Sequence, residues 1–452
     1  MYNENMTHVI KDPVHGTMQF TRDENNWLKP FIDSTPFQRL RHIKQLGLSD
    51  SIFPGAVHTR FNHSLGCAYV AGLISAHIQL PVEERQAVMI ACLLHDIGHG
   101  PFSHTFENIF TNKSISHEDW TPFFLNEYKQ KDFFLSYNQR NPMHPLNDEK
   151  FALIEKMIMH QSPVKRLLAD IVSSQLDADR LDYLLRDSHF CGVSYGQFDF
   201  RWMLNSMVVA QSSTGEARLG LTHKGIGVVE HYLMARRLMR HNIYFNQKTL
   251  ALESLLIQML SLLSQHIHDF PDIAGTALGI FLSKTYVFNQ TDQSKKIDFI
   301  QQNYPLFKEL SDNDIVFVIK QLAKKDESLP IVQIAKQLYL RQIPHIIYIE
   351  PMDVAQIKQS LSALKAEHAI PDWQLTLIET PLESYATDAD PILILNETGI
   401  ARPLHQQSVM IDAIGDKMEK MTFLCIDRLH YARLKPYIDA LTRSASDIGT
   451  PS

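Results

Sequence analysis

An apolar run, Ala87–Leu94, leads directly into the adjacent pair His95 and Asp96, and two glycines and Pro101 follow. The run predicts a buried helix that ends where the glycines begin. Burying a carboxylate beside an imidazole is costly unless a partner neutralises the charge. A metal ion is such a partner, because imidazole and carboxylate are ligands of iron, manganese and zinc. For an isolated pair, a capping Asp beside a core His is the simpler interpretation.

Two further segments carry residues that fit the same site. His63 begins a predicted helix after the break at Pro54, and Asp179 lies on the ionic face of a predicted helix within residues 173–187. Two imidazoles and two carboxylates from three helices can hold one ion and leave positions for water and substrate. On residue chemistry alone, this metal site and a coincidence of core histidines with a surface salt-bridge helix have equal weight.

The composition is that of an ordinary globular protein. Of the 452 residues, 44% are apolar and 21% are charged. The formal net charge of -7 argues against nucleic acid as the main partner and against an anionic membrane surface. Apolar runs stay shorter than the roughly 20 residues of a membrane span. Four scattered cysteines without CxxC spacing, and an N-terminus without a signal-peptide pattern, predict a cytoplasmic protein.

The apolar pattern predicts a mainly α fold with a smaller C-terminal α+β lobe. Residues 8–22 alternate around a Pro and a Gly, which predicts a hairpin, and a helix with a basic face follows. Residues 223–267 predict a long helical stretch that breaks near Asn246. Short β-branched runs begin at His345, Trp373, Pro391 and Met421. We therefore divide the chain into the N-terminal hairpin and basic helix (1–50), a helical core (51–330) and the α+β lobe (331–452).

Several long motifs, in one order along the chain, resemble a single family. They are Lys11-Asp-Pro-Val-His-Gly16, Phe37-Gln-Arg-Leu-Arg-His-Ile-Lys-Gln-Leu-Gly47, Phe53-Pro-Gly-Ala56, Arg60-Phe-Asn-His-Ser-Leu-Gly66, His95-Asp-Ile-Gly-His-Gly-Pro-Phe-Ser-His104 and Asp179-Arg-Leu-Asp-Tyr-Leu-Leu-Arg-Asp187. With these motifs the chain resembles the HD superfamily of metal-dependent phosphohydrolases, and within it the dNTP triphosphohydrolases. The resemblance covers most of residues 8–260 and is weaker over the lobe. It implies that the helical core is an HD domain.

The resemblance also implies roles for individual residues. The implied ligands of a divalent metal (Mn, Fe, Mg, Zn or Ni) are His63, His95, Asp96 and Asp179. The implied catalytic residues are His104 and His117, which handle protons and phosphate, and His99 and Glu107, which orient and polarise His104. The implied substrate-binding residues are Gln45, Arg60, Arg180, Tyr183 and Asp187. The implied binding site for a regulatory guanine nucleotide includes Asp33, Gln38 and Arg41.

Asp33 also has a simpler interpretation. It precedes Ser34, Thr35 and Pro36, so its side chain is placed to cap a helix that begins at the Pro. The sequence leaves the cap and the nucleotide contact as alternatives of equal weight.

The chain departs from the family pattern at a few positions. Asn62 stands in place of a usual Glu, Glu107 stands where Asp is common, and Phe245-Asn-Gln-Lys248 replaces a stretch that usually carries Tyr or His before its Lys. These changes leave the four implied metal ligands intact. We expect substrate choice, and the phosphate contacts made by residues 237–248, to differ from the family pattern.

The resemblance implies hydrolysis of a deoxynucleoside triphosphate to deoxynucleoside and inorganic triphosphate. It further implies a homo-oligomer, dimer or tetramer, activated by GTP or dGTP. The alternatives are another HD nucleotide phosphohydrolase or phosphodiesterase, or a non-catalytic nucleotide sensor. Alarmone hydrolases carry an acidic pair soon after His-Asp, whereas this chain has Ile97 and Gly98 there. The Gly-Tyr-Pro signature of cyclic-dinucleotide phosphodiesterases is absent from the sequence, and a sensor is disfavoured because each implied ligand is present.

Overall fold

The computed structural model of the chain describes residues 8–20, 26–291, 293–326, 328–349, 354–383, 385, 390–415 and 418–446. Over these residues the fold is mainly α-helical, as predicted. The helices are α1 Lys29–Ile32, α2 Thr35–Gln38, α3 Arg60–His77, α4 Val82–Leu94, α5 His104–Glu107, α6 His117–Tyr128, α7 Lys131–Arg140, α8 Asp148–Ile158, α9 Arg166–Val172, α10 Ala178–Cys191, α11 Phe200–Ser206, α12 Ile226–Met239, α13 Gln247–Gln265, α14 Pro271–Ala274, α15 Ala277–Asn289, α16 Lys296–Phe307, α17 Asp312–Leu322, α18 Pro330–Tyr339, α19 Val354–His368, α20 Val409–Ile414 and α21 Arg428–Ser446. The strands are β1 His8–Asp12, β2 Gly16–Phe20, β3 Met207–Gln211, β4 Ala217–Thr222, β5 His345–Ile349, β6 Leu375–Glu383, β7 Leu393–Leu395, β8 Ala401–Pro403 and β9 Met418–Ile426.

Helix α4 is the centre of the main hydrophobic core. Its residues from Gln86 to Leu94 are all buried, which is what an apolar run without a polar face requires. It packs against α3, α8 and α9. The helix ends at Leu94, so His95 and Asp96 lie at its carboxyl end, as predicted.

Helices α3 and α10 pack closely where Gly66 faces α10. A Cβ atom on Gly66 would lie 1.9 Å from Asp182 Oδ1 and 2.5 Å from a guanidinium nitrogen of Arg186. Only glycine fits such an approach without a shift of backbone or side chains. This contact brings His63 of α3 next to the acidic face of α10.

The N-terminal region confirms one prediction and corrects another. Strands β1 and β2 form an antiparallel hairpin with Asp12 opposite Gly16; residues 21 and 22 of the predicted hairpin lie outside the described residues. The prediction of one basic helix after the hairpin was wrong. The chain forms α1, α2 and 3-10 turns at Arg39–His42 and Gly47–Ser51, because prolines stand in the first turns of α1 and α2, where a preceding helix cannot continue through them.

The predicted break near Asn246 is confirmed. Helix α12 passes into a π-helical turn, Arg240–Tyr244, and α13 then begins at Gln247. The Asn246 side chain accepts hydrogen bonds from the backbone N–H groups of Lys248 and Thr249, so it caps α13.

Strands of the predicted lobe are divided between two sheets. Strands β5, β9 and β6 form an antiparallel sheet with a small core of their own, which α19 and α21 share. Strands β7 and β8 instead extend a hairpin of the preceding region, β3 and β4, and β7 pairs with β4 in parallel. The sequence did not predict this hairpin. The limits at residues 50 and 330 stay predictions.

Two further features of the described residues concern the cysteines and the apolar character of the helices. Cys67, Cys92, Cys191 and Cys425 are buried and carry free thiols. In this part of the chain, none of the helices combines the length and the apolar character that crossing a bilayer would need.

Candidate active site

The four predicted metal ligands come together where α3, α4 and α10 meet. His63 Nε2 lies 3.0 Å from Asp179 Oδ1 and 3.6 Å from Asp96 Oδ2. His95 Nε2 lies 3.4 Å from Asp96 Oδ1 and 3.6 Å from Asp179 Oδ1. Asp179 Oδ1 thus lies within 3.6 Å of both imidazole nitrogens, and Asp96 turns a different oxygen towards each of them.

Hydrogen bonds on the far side of each imidazole orient these nitrogens. His63 Nδ1 donates to Asp182 Oδ2 at 2.9 Å, and His95 Nδ1 donates to the carbonyl of Cys92 at 2.8 Å. Each bond turns Nε2 towards the centre of the cluster, which is the orientation that a metal-binding histidine requires. His95 Nε2 is buried and makes no hydrogen bond among the described residues. The donor set therefore fits a divalent metal.

The electrostatics of the cluster favour a positive charge at its centre. Burial by itself would lower the pKa of His63, but the carboxylates of Asp179 and Asp182, which accept hydrogen bonds from its ring, outweigh burial and raise the pKa to about 10. Burial would raise the pKa of Asp96, yet the guanidinium of Arg60 and the neighbouring His95 hold that pKa well below its usual range. Ionised carboxylates are the form that binds metal.

A cysteine lies at the same cluster. Cys67 Sγ is 3.4 Å from His63 Nε2. Burial raises the pKa of this thiol well above its ordinary value. Cys67 lies one helical turn after His63 on α3, and the family resemblance implies Asp96 rather than Cys67 as the fourth ligand.

The four predicted catalytic residues form a second cluster beside the first. Glu107 accepts from His117 Nδ1 at 2.7 Å with one oxygen and from His104 Nδ1 at 3.4 Å with the other. The ring of His99 stacks on His117 at 3.8 Å, and its Nε2 lies 3.4 Å from Asp96 Oδ1. Despite its partial burial, the two imidazoles hold the pKa of Glu107 far below its usual range. Glu107 is thus ionised and orients both histidines.

Four of the five predicted substrate-binding residues line a cleft that opens from these clusters. The half that holds the two clusters has a volume of about 280 Å³, and the adjoining half has about 590 Å³. The lining residues are Gln45, Arg60, Tyr183 and Asp187. The fifth, Arg180, turns away and donates to the carbonyl of Ser174 at 2.6 Å and to Asp177.

The cleft residues are held by their neighbours. Asp187 accepts hydrogen bonds from His58 Nε2 at 2.7 Å and from the Tyr244 hydroxyl at 2.8 Å. Gln45 Oε1 is buried and lacks a hydrogen-bond partner among the described residues, so this acceptor is available to a ligand of the cleft.

A chain of buried polar residues behind the metal cluster was not assigned in the sequence. Asp182 accepts from His15 Nε2 at 2.6 Å and from the guanidinium of Arg186 at 2.9 Å. Arg186 in turn donates to Asp12 Oδ2 at 2.8 Å. The family motifs contain these residues, and the spacing of Asp179 and Asp182 on one helix face was the available signal. The N-terminal hairpin thereby supports a predicted metal ligand.

The far wall of the cleft includes residues that the sequence did not identify as part of the site. Leu375 and Leu377 of β6 pack in the core of the lobe. Because side chains alternate along a strand, Ile378 and Thr380 face the other way and line the cleft. Opposite the turn at Gly47, Glu253 of α13 also lines the cleft, and burial raises its pKa to about 7.

The residues of the predicted regulatory site lie near the protein surface. Asp33 pairs with Lys29 at 2.8 Å, Gln38 accepts from Arg41 Nε at 2.7 Å, and the Arg41 guanidinium lies 3.5 Å above the ring of Phe61. The capping alternative for Asp33 was wrong. Helix α2 has Ser34 at its N-cap position, and Asp33 instead follows the last residue of α1.

Two departures from the family pattern have visible consequences. Asn62 accepts from the backbone N–H of Thr59 at 3.1 Å and completes a capping box at the start of α3. It therefore replaces Glu in a role that either side chain can fill. Phe245 lines the cleft and presents an apolar ring where the family usually has a polar aromatic group.

Comparisons with known proteins agree with this geometry. Residues 60–186, which hold all four predicted metal ligands, match the HD domain family. An uncharacterized protein of Bacillus subtilis (strain 168), YwfO, is 29% identical over 90% of this chain and 89% of its own length. Deoxynucleoside triphosphate triphosphohydrolase SAMHD1 of Bos taurus is 27% identical over 80% of this chain and 66% of its own length, just under two thirds. A solved phosphohydrolase structure from Bacteroides thetaiotaomicron VPI-5482 has a TM-score of 0.76 at 28% identity, covering 94% of this chain and 100% of that one.

Proposed function

We propose that this chain, an HD-domain phosphohydrolase, hydrolyses deoxynucleoside triphosphates to deoxynucleoside and inorganic triphosphate. The observation that carries the proposal is that His104 and His117, both held by Glu107, line the same cleft as the predicted metal ligands, Gln45 and Tyr183. The relatives named deoxynucleoside triphosphate triphosphohydrolase support the choice of substrate.

His63, His95, Asp96 and Asp179 would hold the divalent metal. When bound, the ion supplies Lewis-acid stabilisation of negative charge on the phosphate oxygens. Arg60 lines the cleft with its guanidinium beside Asp96, where it adds a positive charge for the triphosphate.

His104 and His117 divide the proton and phosphate chemistry. The side chain of His104 is 67% exposed, and with Nδ1 turned to Glu107 its Nε2 is free to protonate the 5′-oxygen as that oxygen leaves the α-phosphorus. His117 is more enclosed, and its Nε2 is free to donate to a phosphate oxygen. Glu107 keeps both rings in these orientations, and His99 supports His117 by stacking.

The sugar and base would occupy the larger half of the cleft. Asp187 and Tyr183 offer polar groups at its inner wall, and Gln45 offers an unpaired acceptor. The regulatory proposal is separate: a guanine nucleotide would bind at Asp33, Gln38 and Arg41 and activate hydrolysis, in a homo-oligomer. Its support is the family resemblance together with the exposed positions of Asp33 and Arg41.

The test is to incubate the purified protein with each dNTP and Mn²⁺ in ¹⁸O-labelled water and resolve the products. We expect deoxynucleoside and a triphosphate that carries the label, because water attacks phosphorus. Label in the nucleoside would place the attack on carbon. Diphosphate and orthophosphate as the only inorganic products would favour another HD nucleotide phosphohydrolase activity, and an absence of turnover would favour a nucleotide sensor.

A further inference from the structure

The turn that precedes His104 holds two successive residues in the left-handed region of backbone conformation. Phe102 has a φ of 50°, and Ser103 has a φ of 55° with a ψ of -125°. Side chains disfavour this region, and glycine is its usual occupant. Such a conformation persists only where surrounding contacts fix it. Because His104 is the first residue of α5, its direction depends on these contacts.

Asp312, the first residue of α17, makes the central contact. Its Oδ1 accepts the backbone N–H of Phe102 at 2.6 Å, and its Oδ2 accepts the backbone N–H of Lys44 at 2.9 Å. Its side chain is buried, with 4% of the residue exposed. One carboxylate thereby joins the segment that leads into His104 to the segment that leads into Gln45.

Ser103 links the same two segments a second time. Its hydroxyl donates to the carbonyl of Lys44 at 2.9 Å and accepts from Arg60 Nε at 2.8 Å. The guanidinium that lines the cleft is thus tied to the same turn. A displacement of the turn would move His104 and Arg60 together.

Neither helix capping nor an ion pair accounts for Asp312. Helix α17 is already capped by Ser311 and Asp314, which form a complete capping box. Within the described residues, Asp312 forms no ion pair with a Lys or Arg side chain, since Lys44 Nζ pairs with Asp50 at 2.6 Å and Arg60 pairs with Asp96. The two backbone N–H groups are its partners.

We infer that Asp312 is a positioning residue of the active site, which fixes the backbone that presents His104 and Gln45 to the substrate. The predicted effect on kcat rests on the proposed function. The contact between Asp312 and the two backbone N–H groups does not depend on it. Asp312 lies outside residues 60–186, so it is a contribution of the later helices to the chemistry of the HD domain.

The first variant is Asp312→Asn. Asparagine keeps the size but turns an NH₂ group towards one of the two N–H donors, so one contact is lost and replaced by a clash of donors. We expect kcat for dNTP hydrolysis to fall by about tenfold or more, since small displacements of catalytic groups have effects of that size. Bound metal should stay within about twofold of wild type, whereas KM should rise, because Gln45 and Arg60 are displaced together with His104. Glu309→Gln, which removes an exposed carboxylate just before α17, is the matched control and should leave kcat unchanged.

A rescue experiment separates positioning from general stability. Ser103→Gly and Ser103→Ala both remove the hydroxyl, but only glycine relieves the left-handed conformation. In the Asp312→Asn background, we expect the glycine variant to have a kcat several-fold above that of the alanine variant. Equal kcat values for the two would contradict a role of Asp312 in holding this backbone.

Hydrogen exchange measures the contact without reference to activity. In Asp312→Asn, amides of residues 44–46 and 100–105 should exchange faster than in wild type, while those of residues 86–94 should not change. If wild type hydrolyses no dNTP, the proposed function fails and the exchange result still decides the inference. Unchanged exchange together with unchanged kcat would overturn it. If Asp312→Asn does not fold, we use Asp312→Glu instead, which keeps both acceptor oxygens but displaces them. A folded Asp312→Glu protein with the kcat and the hydrogen exchange of wild type would also overturn the inference.

Discussion

His63 donates its Nδ1 proton to Asp182 at 2.9 Å, and this bond sets the tautomer of a predicted metal ligand. Asp182 sits on α10 against Gly66 of α3, where a Cβ atom would lie 1.9 Å from its carboxylate. The orientation of His63 therefore depends on how closely two helices approach each other.

Gly66→Ala should disturb the metal site without touching a ligand. The added methyl group displaces Asp182, so we expect metal affinity to fall by about 10–100-fold, the size of effect typical for the loss of an outer hydrogen bond. Isothermal titration of the metal-free protein with Mn²⁺ measures the change. Gly227→Ala is the matched control, because a Cβ on this helical glycine meets open space. Equal affinities of wild type and Gly66→Ala would refute the link.

Asp96→Ala should lower the bound metal and abolish hydrolysis while the helical fold is retained. The reason is that His95 and Asp96 are proposed to hold the ion together. Elemental analysis of the purified variant checks the metal, and circular dichroism checks the fold. Asp132→Ala, which removes an exposed carboxylate of α7, should leave both unchanged. Undiminished metal in Asp96→Ala would show that the site is assigned wrongly.

Glu107→Gln should lower kcat by about 10²-fold or more and leave metal content unchanged. The carboxylate accepts from both His104 and His117, and an amide cannot accept from both with the same geometry. General acid–base catalysis contributes rate factors of about this size. Steady-state kinetics measure the effect, with the exposed Glu149→Gln as the control. A kcat near that of wild type would exclude Glu107 as the group that orients the two histidines.

Asp33→Asn should remove activation by GTP or dGTP and leave metal content unchanged. Asparagine offers a donor where a carboxylate would accept the amino and imino protons of guanine. Lys29→Gln breaks the same surface ion pair from its other end, at a cost below about 1 kcal/mol, and should retain activation. Rates of dATP hydrolysis with and without GTP distinguish the two. If both variants respond to GTP as wild type does, the regulatory role of Asp33 is wrong.

Glu253 should make stability depend on pH. Burial raises its pKa from 4.5 to about 7, so ionisation is harder in the folded chain than in the unfolded one. The folded state therefore loses stability as the pH rises from about 4.5 to 7, by up to about 3 kcal/mol, and retains it below that window. Glu253→Gln removes this titration, so the unfolding temperature of the variant minus that of wild type should increase as the pH rises. A difference that stays constant with pH would contradict the shift.

The sequence predicted the parts of the site that reside in local pattern. The apolar run before His95 predicted a buried helix, and the spacing of Asp179 and Asp182 placed both on one helix face. The family motifs then brought His63 to the same point. The helix predictions depend on neighbours within a few turns, which periodicity records, whereas the meeting of His63 with these residues was implied by the family resemblance.

Contacts between distant segments were not predictable in the same way. Asp312 is 210 residues from Phe102, and Thr380 reaches the cleft only through the fold of the lobe. The wrong prediction of a basic helix after the hairpin had another cause. Phe37, Leu40 and Ile43 are buried as their spacing indicated, but Pro36 stands in the first turn of a new short helix, and apolar spacing alone does not predict such a break.

The pairing of β7 with β4 bears on how this chain can be divided. Strand β7 gives the hairpin of the preceding region its parallel neighbour, and Asp390, just before β7, pairs with Arg166 and Arg218 at 2.5 Å each. A fragment that stops at residue 330 would leave the edge of β4 unpaired and Arg218 without Asp390. The hairpin of β3 and β4 and the residues after 330 are therefore joined through one sheet, and a replacement of the C-terminal residues would have to keep β7 in register with β4.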